Sequence, residues 1–185
     1  MTGMKRVVCL ALFVTACSAQ RKLPQGSAQE NTNPEYTELR PVAVVVLPVE
    51  AKSYEVMRTV RRTAYDDLFE KRYSPISIRK VDAHLDSNGN FDAQDVDWDA
   101  SLKIKITRWR RVGGGSHYAA DGSAHLIHRH SGEILWQLAF QDQIFESKQM
   151  QNESGQVHAA RQLAKYIVLG TEKNPHLPPC PPPPE

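Results

Sequence analysis

Four histidines, His117, His125, His128 and His130, form the densest group of potential metal ligands in the chain. A zinc centre needs three or four donors converging at about 2.0–2.3 Å. On an extended strand His128 and His130 share one face, while His125 points to the other unless a bulge intervenes. The strand then offers two ligands at most, and Arg129 between them opposes a cation. A metal-dependent hydrolase using His125, His128 and His130 is therefore an alternative reading; the principal one has no metal and no cofactor. Asp86-Ser87-Asn88-Gly89-Asn90-Phe91-Asp92 looks like a calcium loop, but its Gly89 is fourth and Asp97 twelfth, where an EF-hand has glycine sixth and glutamate twelfth. Asp92, Asp95, Asp97 and Asp99 read as a solvated acidic loop, with weak cation binding as the lesser reading. Gly113-Gly114-Gly115-Ser116 lacks the lysine of a phosphate loop and reads as a hairpin turn. Just before it, Arg108, Trp109, Arg110 and Arg111 make a basic flank able to grip lipid headgroups or a carboxylate-rich protein surface. A solvated strand end with Trp109 packed on the sheet fits the same residues equally well. Neither a nucleophile elbow nor a Ser-His-Asp or Cys-His arrangement can be argued from spacing, so the chain reads as a non-enzyme.

The remaining reactive group is a thiol. Cys17 closes the run Val14-Thr15-Ala16-Cys17 after the basic Lys5-Arg6 and an apolar stretch, Val7 to Val14, too short to span a bilayer. This run resembles the lipobox of bacterial lipoproteins. The resemblance implies that Cys17 is diacylated on sulfur, becomes the first mature residue and gains a third chain on its amine. At about 0.8 kcal/mol per buried methylene, two or three such chains make a durable anchor. Ser18, where a charge often retains such proteins on the inner membrane, implies sorting to the outer membrane, facing the periplasm. Loss of residues 1–16 would remove two of the 23 basic side chains and none of the 21 acidic ones. The mature charge is then balanced, which disfavours nucleic acid as a partner. Cys9 falls in the discarded segment, and Cys180 is left alone in a proline-rich tail, read as disordered.

These groups must be positioned by one domain. We divide the chain into a signal segment, 1–16, a lipidated cysteine with flexible polar tether, 17–39, an α/β domain, 40–171, and a proline-rich tail, 172–185. Val42 to Leu47 reads as a strand buried on both faces. Ser53 caps a helix carrying Met57, Val60, Ala64 and Leu68 on one face. Ile76 to Val81 reads as a second, parallel strand, and Asp82 to Asp99 as loop with one helical turn. From Ala100 the apolar period becomes two, and three successive strands form an antiparallel meander: Ala100, Leu102, Ile104 and Ile106 line one face, then Tyr118 to Leu126, then Ile134, Trp136, Leu138 and Phe140. A last helix from about Gly155 to Leu169 ends at Gly170. The order β-α-β-(α)-β-β-β-α predicts a single mixed sheet, α/β or α+β-like, with helices packed on it.

The run Leu39 to Pro48, then Trp98-Asp99-Ala100-Ser101-Leu102-Lys103-Ile104-Lys105-Ile106-Thr107, and later Ser131-Gly132-Glu133-Ile134-Leu135-Trp136, resembles lipoproteins that share the fold of the Tol-B N-terminal domain. These include curli-secretion, penicillin-binding-protein-activator and neisserial-type lipoproteins. The resemblance implies a non-catalytic accessory or assembly factor of a cell-envelope protein complex, serving transport, secretion or peptidoglycan synthesis. It argues against a curli-type pore, since no long insertion separates helix and strand. A homo-oligomer joined through the meander edge is the remaining alternative.

Overall fold

The computed structural model describes residues 26–91, 93–148, 153–168 and 177–181. The signal segment, Cys17, Asp92, Gly170 and the last four residues lie outside these. The elements are β1 (Ser27–Thr32), α1 (Tyr36–Leu39), β2 (Ala43–Val46), α2 (Tyr54–Leu68), β3 (Ser74–Pro75), α3 (Ile78–Ala83), β4 (Ala100–Val112), β5 (His117–His128), β6 (Ile134–Glu146) and α4 (Gly155–Val168). They form one mixed six-stranded sheet of order β1-β6-β5-β4-β2-β3 with four helices packed on it.

The long strands arise where the sequence alternates. Ala100, Leu102, Ile104 and Ile106 of β4, Ala120, Ala124 and Leu126 of β5, and Trp136, Leu138 and Phe140 of β6 are buried in the main core. The helices fill the other side of that core. α2 starts where the Ser53 hydroxyl accepts the Val56 N–H and buries Val56, Val60, Ala64 and Leu68; α4 buries Ala160, Leu163, Ala164, Ile167 and Val168. β2 is buried on both faces, as its β-branched run predicts: Val44 and Val46 face the main core, and Val45 joins Val81, Phe91, Ala93 and Val96 in a smaller cluster on the opposite side.

Four expectations are corrected. Ile76 to Val81 is not a strand: the Ser77 hydroxyl accepts the Lys80 N–H and starts α3, while the parallel partner of β2 is Ser74–Pro75. The pairing bonds run from the Ser74 and Ile76 N–H groups to the Val42 and Val44 carbonyls. In β6, Leu135 is buried and Ile134 exposed, because the β5–β6 register shifts next to Leu126. The stretch read as tether contains β1, which pairs antiparallel with β6 from Ser27↔Gln141 to Thr32↔Trp136 although all six side chains are exposed. Backbone hydrogen bonds require no apolar pattern, so this strand is silent in hydropathy. The meander edge is consequently covered by β1 on one side and by β2 on the other.

The fourth correction concerns the tail. Leu177 is fully buried in the main core, the Cys180 N–H donates to the Lys71 carbonyl at 2.9 Å, and Cys180 is half-buried. The Pro178 and Pro179 carbonyls accept from the hydroxyls of Tyr73 (2.9 Å) and Tyr36 (2.7 Å), which adjoin each other. Residues 177–181 are therefore a strap across α1 and the end of α2. Burial explains the Tyr36 phenol being pushed up to about 12.

Candidate functional site

The basic flank lies where the meander kinks. The β4–β5 register shifts between Ile106 and Arg108, and the β5–β6 register between Ala120 and Gly122. An extra residue reverses the alternation. Before the bulge the even residues of β4 face the helices; beyond it Trp109 does, and packs against the main core with its ring stacked on Tyr118 at 5.1 Å and 17°. Arg108 and Arg110 are turned to the opposite, outer face of the sheet. Gly122 is needed at this kink, since a Cβ there would sit 2.2 Å from the Lys105 carbonyl oxygen and 2.8 Å from the Phe140 ring.

Two carboxylates that sequence reasoning missed complete the cluster. Arg108 binds Asp121 through Nε at 2.5 Å and Asp142 through Nη2 at 2.9 Å, and Arg110 Nη2 reaches the same Asp142 oxygen at 2.8 Å. The Asp142 N–H donates to Asp121 at 2.7 Å. Partial burial works upward on the Asp121 carboxyl, but the Arg108 hydrogen bond and the Asp142 N–H outweigh it and hold the group below the usual carboxylate range. The Asp121-Gly122 pair inside a strand was the available signal, because an interior glycine often marks a bulge. Arg111 differs from its neighbours: its Nε donates to the Gly115 carbonyl at 3.0 Å, and no described carboxylate forms an ion pair with it.

Further along the outer face, Glu50 bridges Lys103 (3.2 Å) and Lys105 (3.3 Å). His125 lies opposite Lys103 on the neighbouring strand, and burial, helped by that lysine, lowers its pKa. His128 lies opposite Ala100 and so on the other face, its Nδ1 3.1 Å from the Ser131 hydroxyl and its ring 5.8 Å from that of His130. The sheet therefore separates His125 from His128 and His130, and the metal alternative built on all three fails. Among the described residues no group of three or more His, Cys, Asp or Glu side chains could hold a metal ion. The acidic loop is similarly committed: Asp86 accepts from Asn88 and Asn90, and Asp99 accepts both the Val42 and Ala43 N–H groups at 2.8 Å.

A cavity of about 590 Å³ lies beside α2 and is lined by Tyr54, Met57, Arg58, Arg61 and Arg62 with Val49 and Ile78 opposite. Arg61 closes its floor, donating to the Val46 carbonyl at 3.1 Å and to Asp82 at 2.6 Å. Arg62 pairs with Asp66, so two of the three guanidiniums are already matched.

No family model matches the chain, and no curated protein matches it. Several solved structures are similar. The PelC dodecamer from Paraburkholderia phytofirmans is 15% identical, with 77% of this chain and 95% of that chain covered at a TM-score of 0.49. Lipoprotein GNA1162 from Neisseria meningitidis is 20% identical, covering 62% and 85% at 0.44. A DUF4136 family protein from Bacteroides thetaiotaomicron is 8% identical, covering 84% and 98% at 0.41. At these scores the likenesses assign no function. No helix among the described residues is long and apolar enough to cross a membrane.

Proposed function

We propose that this chain is a non-catalytic lipoprotein, anchored through Cys17 in the outer membrane and facing the periplasm, that serves as an accessory or assembly factor of an envelope protein complex. The observation that carries the reading is Cys17 at the end of a short apolar leader, nine residues before Gly26, which directly precedes β1. Nine residues extend about 30 Å at most, at about 3.3 Å each. The domain is thus held close to its lipid, on a shorter lead than the polar composition of residues 18–40 suggests.

A binding role is supported by how the polar groups are used. Glu50 and Asp142 each sit between two cations, and Asp121 sits between Arg108 and the Asp142 N–H, an arrangement that fixes charge on a rigid surface. The carboxyl whose pKa rises to about 6, Asp67, is buried on α2 and does not line the cavity beside that helix. Metabolic labelling with radioactive palmitate, followed by separation of inner and outer membranes, tests the anchor: label should reside in the wild-type chain of the outer-membrane fraction and be missing from Cys17→Ser. An unlabelled wild-type chain sinks the reading.

Self-association is a second reading with one specific observation behind it. β1 is an edge strand six residues long, and its side away from β6 pairs with no described strand. Mass measurement in solution with Cys180 reduced, on wild type and on Gln29→Pro, separates dimer from monomer.

A further inference from the structure

The point at which the anchored chain meets the sheet fixes which end of the domain lies nearest the lipid. Gly26 runs so close to β6 that a Cβ on it would lie 2.7 Å from the Asp142 carbonyl oxygen and the same distance from the Gln143 Cα. The side chain of that Asp142 is the one shared by Arg108 and Arg110. From there β1 runs from the level of Gln141 to that of Trp136, toward the turn at 129–133. Residues preceding Ser27 therefore arrive from the opposite end, where β6 finishes at Glu146 and β4 and β5 are joined by the turn Gly113–Ser116.

Distance and charge agree with that direction. The nine residues from Cys17 to Gly26 reach about 30 Å at most. The Gly113–Ser116 turn projects four residues beyond Arg108, about 13 Å past the level of Gly26, whereas the 129–133 turn lies eight residues behind it, about 27 Å the other way. The near end carries Arg108, Arg110, Arg111 and Lys148 against Asp121, Asp142 and Glu146, with Arg111 held only by the Gly115 carbonyl. At the far end Arg129, its guanidinium over the Trp98 ring, faces two acids, Glu35 and Glu133, whose mutual repulsion and shared hydrogen bond raise the Glu35 carboxyl above its usual range. A phosphate surface favours the first end over the second.

We propose that the β4–β5 end of the meander is turned toward the bilayer that Cys17 anchors, with Arg110 and Arg111 against the phospholipid phosphates. This rests on the lipoprotein reading for its physiological setting, and the orientation itself is testable without it. The mature chain carrying Cys180→Ala, with a maleimide lipid coupled to Cys17, would be inserted into vesicles of pure phosphatidylcholine or with 30% phosphatidylglycerol, and amide hydrogen exchange followed by mass spectrometry. Exchange across 112–117 should slow at least about threefold in the anionic vesicles, given the attraction of each basic side chain near such a surface. The 129–133 amides should be unchanged, and Arg110→Gln with Arg111→Gln should abolish the slowing. Equal behaviour of the two turns, slowing at 129–133, or slowing that survives the double substitution overturns the proposal. Because the lipid is attached chemically, absence of palmitate in cells would refute the anchor and leave this measurement intact.

Discussion

Strands β4 and β5 bury Ala100, Leu102, Ile104, Ile106, Ala120, Ala124 and Leu126 beneath the two long helices, whereas β1 buries none of its six side chains and still lies in the same sheet. The strap at 177–181 stands between these cases, with one buried leucine and otherwise backbone and hydroxyl bonds. Central strands are held by area removed from water, at about 25 cal/mol per Å². The terminal segments are held by satisfied hydrogen bonds, each worth about 1 kcal/mol net. Substitutions in the two regions should therefore differ in size and in character.

The sharpest way to break the central region is Gly122→Ala. The added methyl meets backbone at Lys105, which cannot move aside as a side chain tip can. We expect a loss of about 4 kcal/mol or more, or failure to fold, read by chemical denaturation. A loss under about 1 kcal/mol would show that the bulge tolerates a side chain. Leu177→Ala should cost about 3 kcal/mol, placing the strap with the core in energy; a shift below about 1 kcal/mol would place it with β1.

Asp67 tests the central region differently, because it is a buried acid on the helix face that otherwise carries Val60, Ala64 and Leu68, and its Oδ2 has no hydrogen-bond partner. Burial raises its pKa from 3.8 to about 6. Between those values the folded chain keeps a proton that the unfolded chain releases. Its contribution to stability is full below about pH 4 and is lost as pH rises toward 6, by on the order of 2–3 kcal/mol. Asp67→Asn should remove that decline in urea midpoints compared at pH 4 and pH 7.5; an unaltered pH profile would assign the decline elsewhere. Smallest should be Glu30→Ala, which takes the acceptor from the Trp136 indole N–H at 3.0 Å. We expect about 1 kcal/mol and faster amide exchange confined to 27–32; global loosening would show that β1 supports the core.

The same division explains what could be read in advance. The meander, α2 and α4 were legible because burial on one face writes a period into the sequence. Ser27–Thr32 carries no such period, and its pairing is invisible without β6 beside it. Ile76 and Ile78 imitated a strand, but the capping Ser77 between them starts a turn of helix. At the candidate site Arg108 to Arg111 were legible as a basic flank. The bulge that sends Trp109 inward, and the pairing of Arg108 and Arg110 with Asp121 and Asp142, depend on cross-strand register, which no local pattern encodes.

The two margins of the sheet are unequal in what they offer a newcomer. Ser74 and Ile76 spend their N–H groups inward on β2, so the outward position between them belongs to Pro75, a ring nitrogen with no proton to give. Lateral recruitment on that flank is chemically capped. Two molecules meeting β1 to β1 would then show proline-blunted borders at both extremes, and stacking into fibres would halt at a pair.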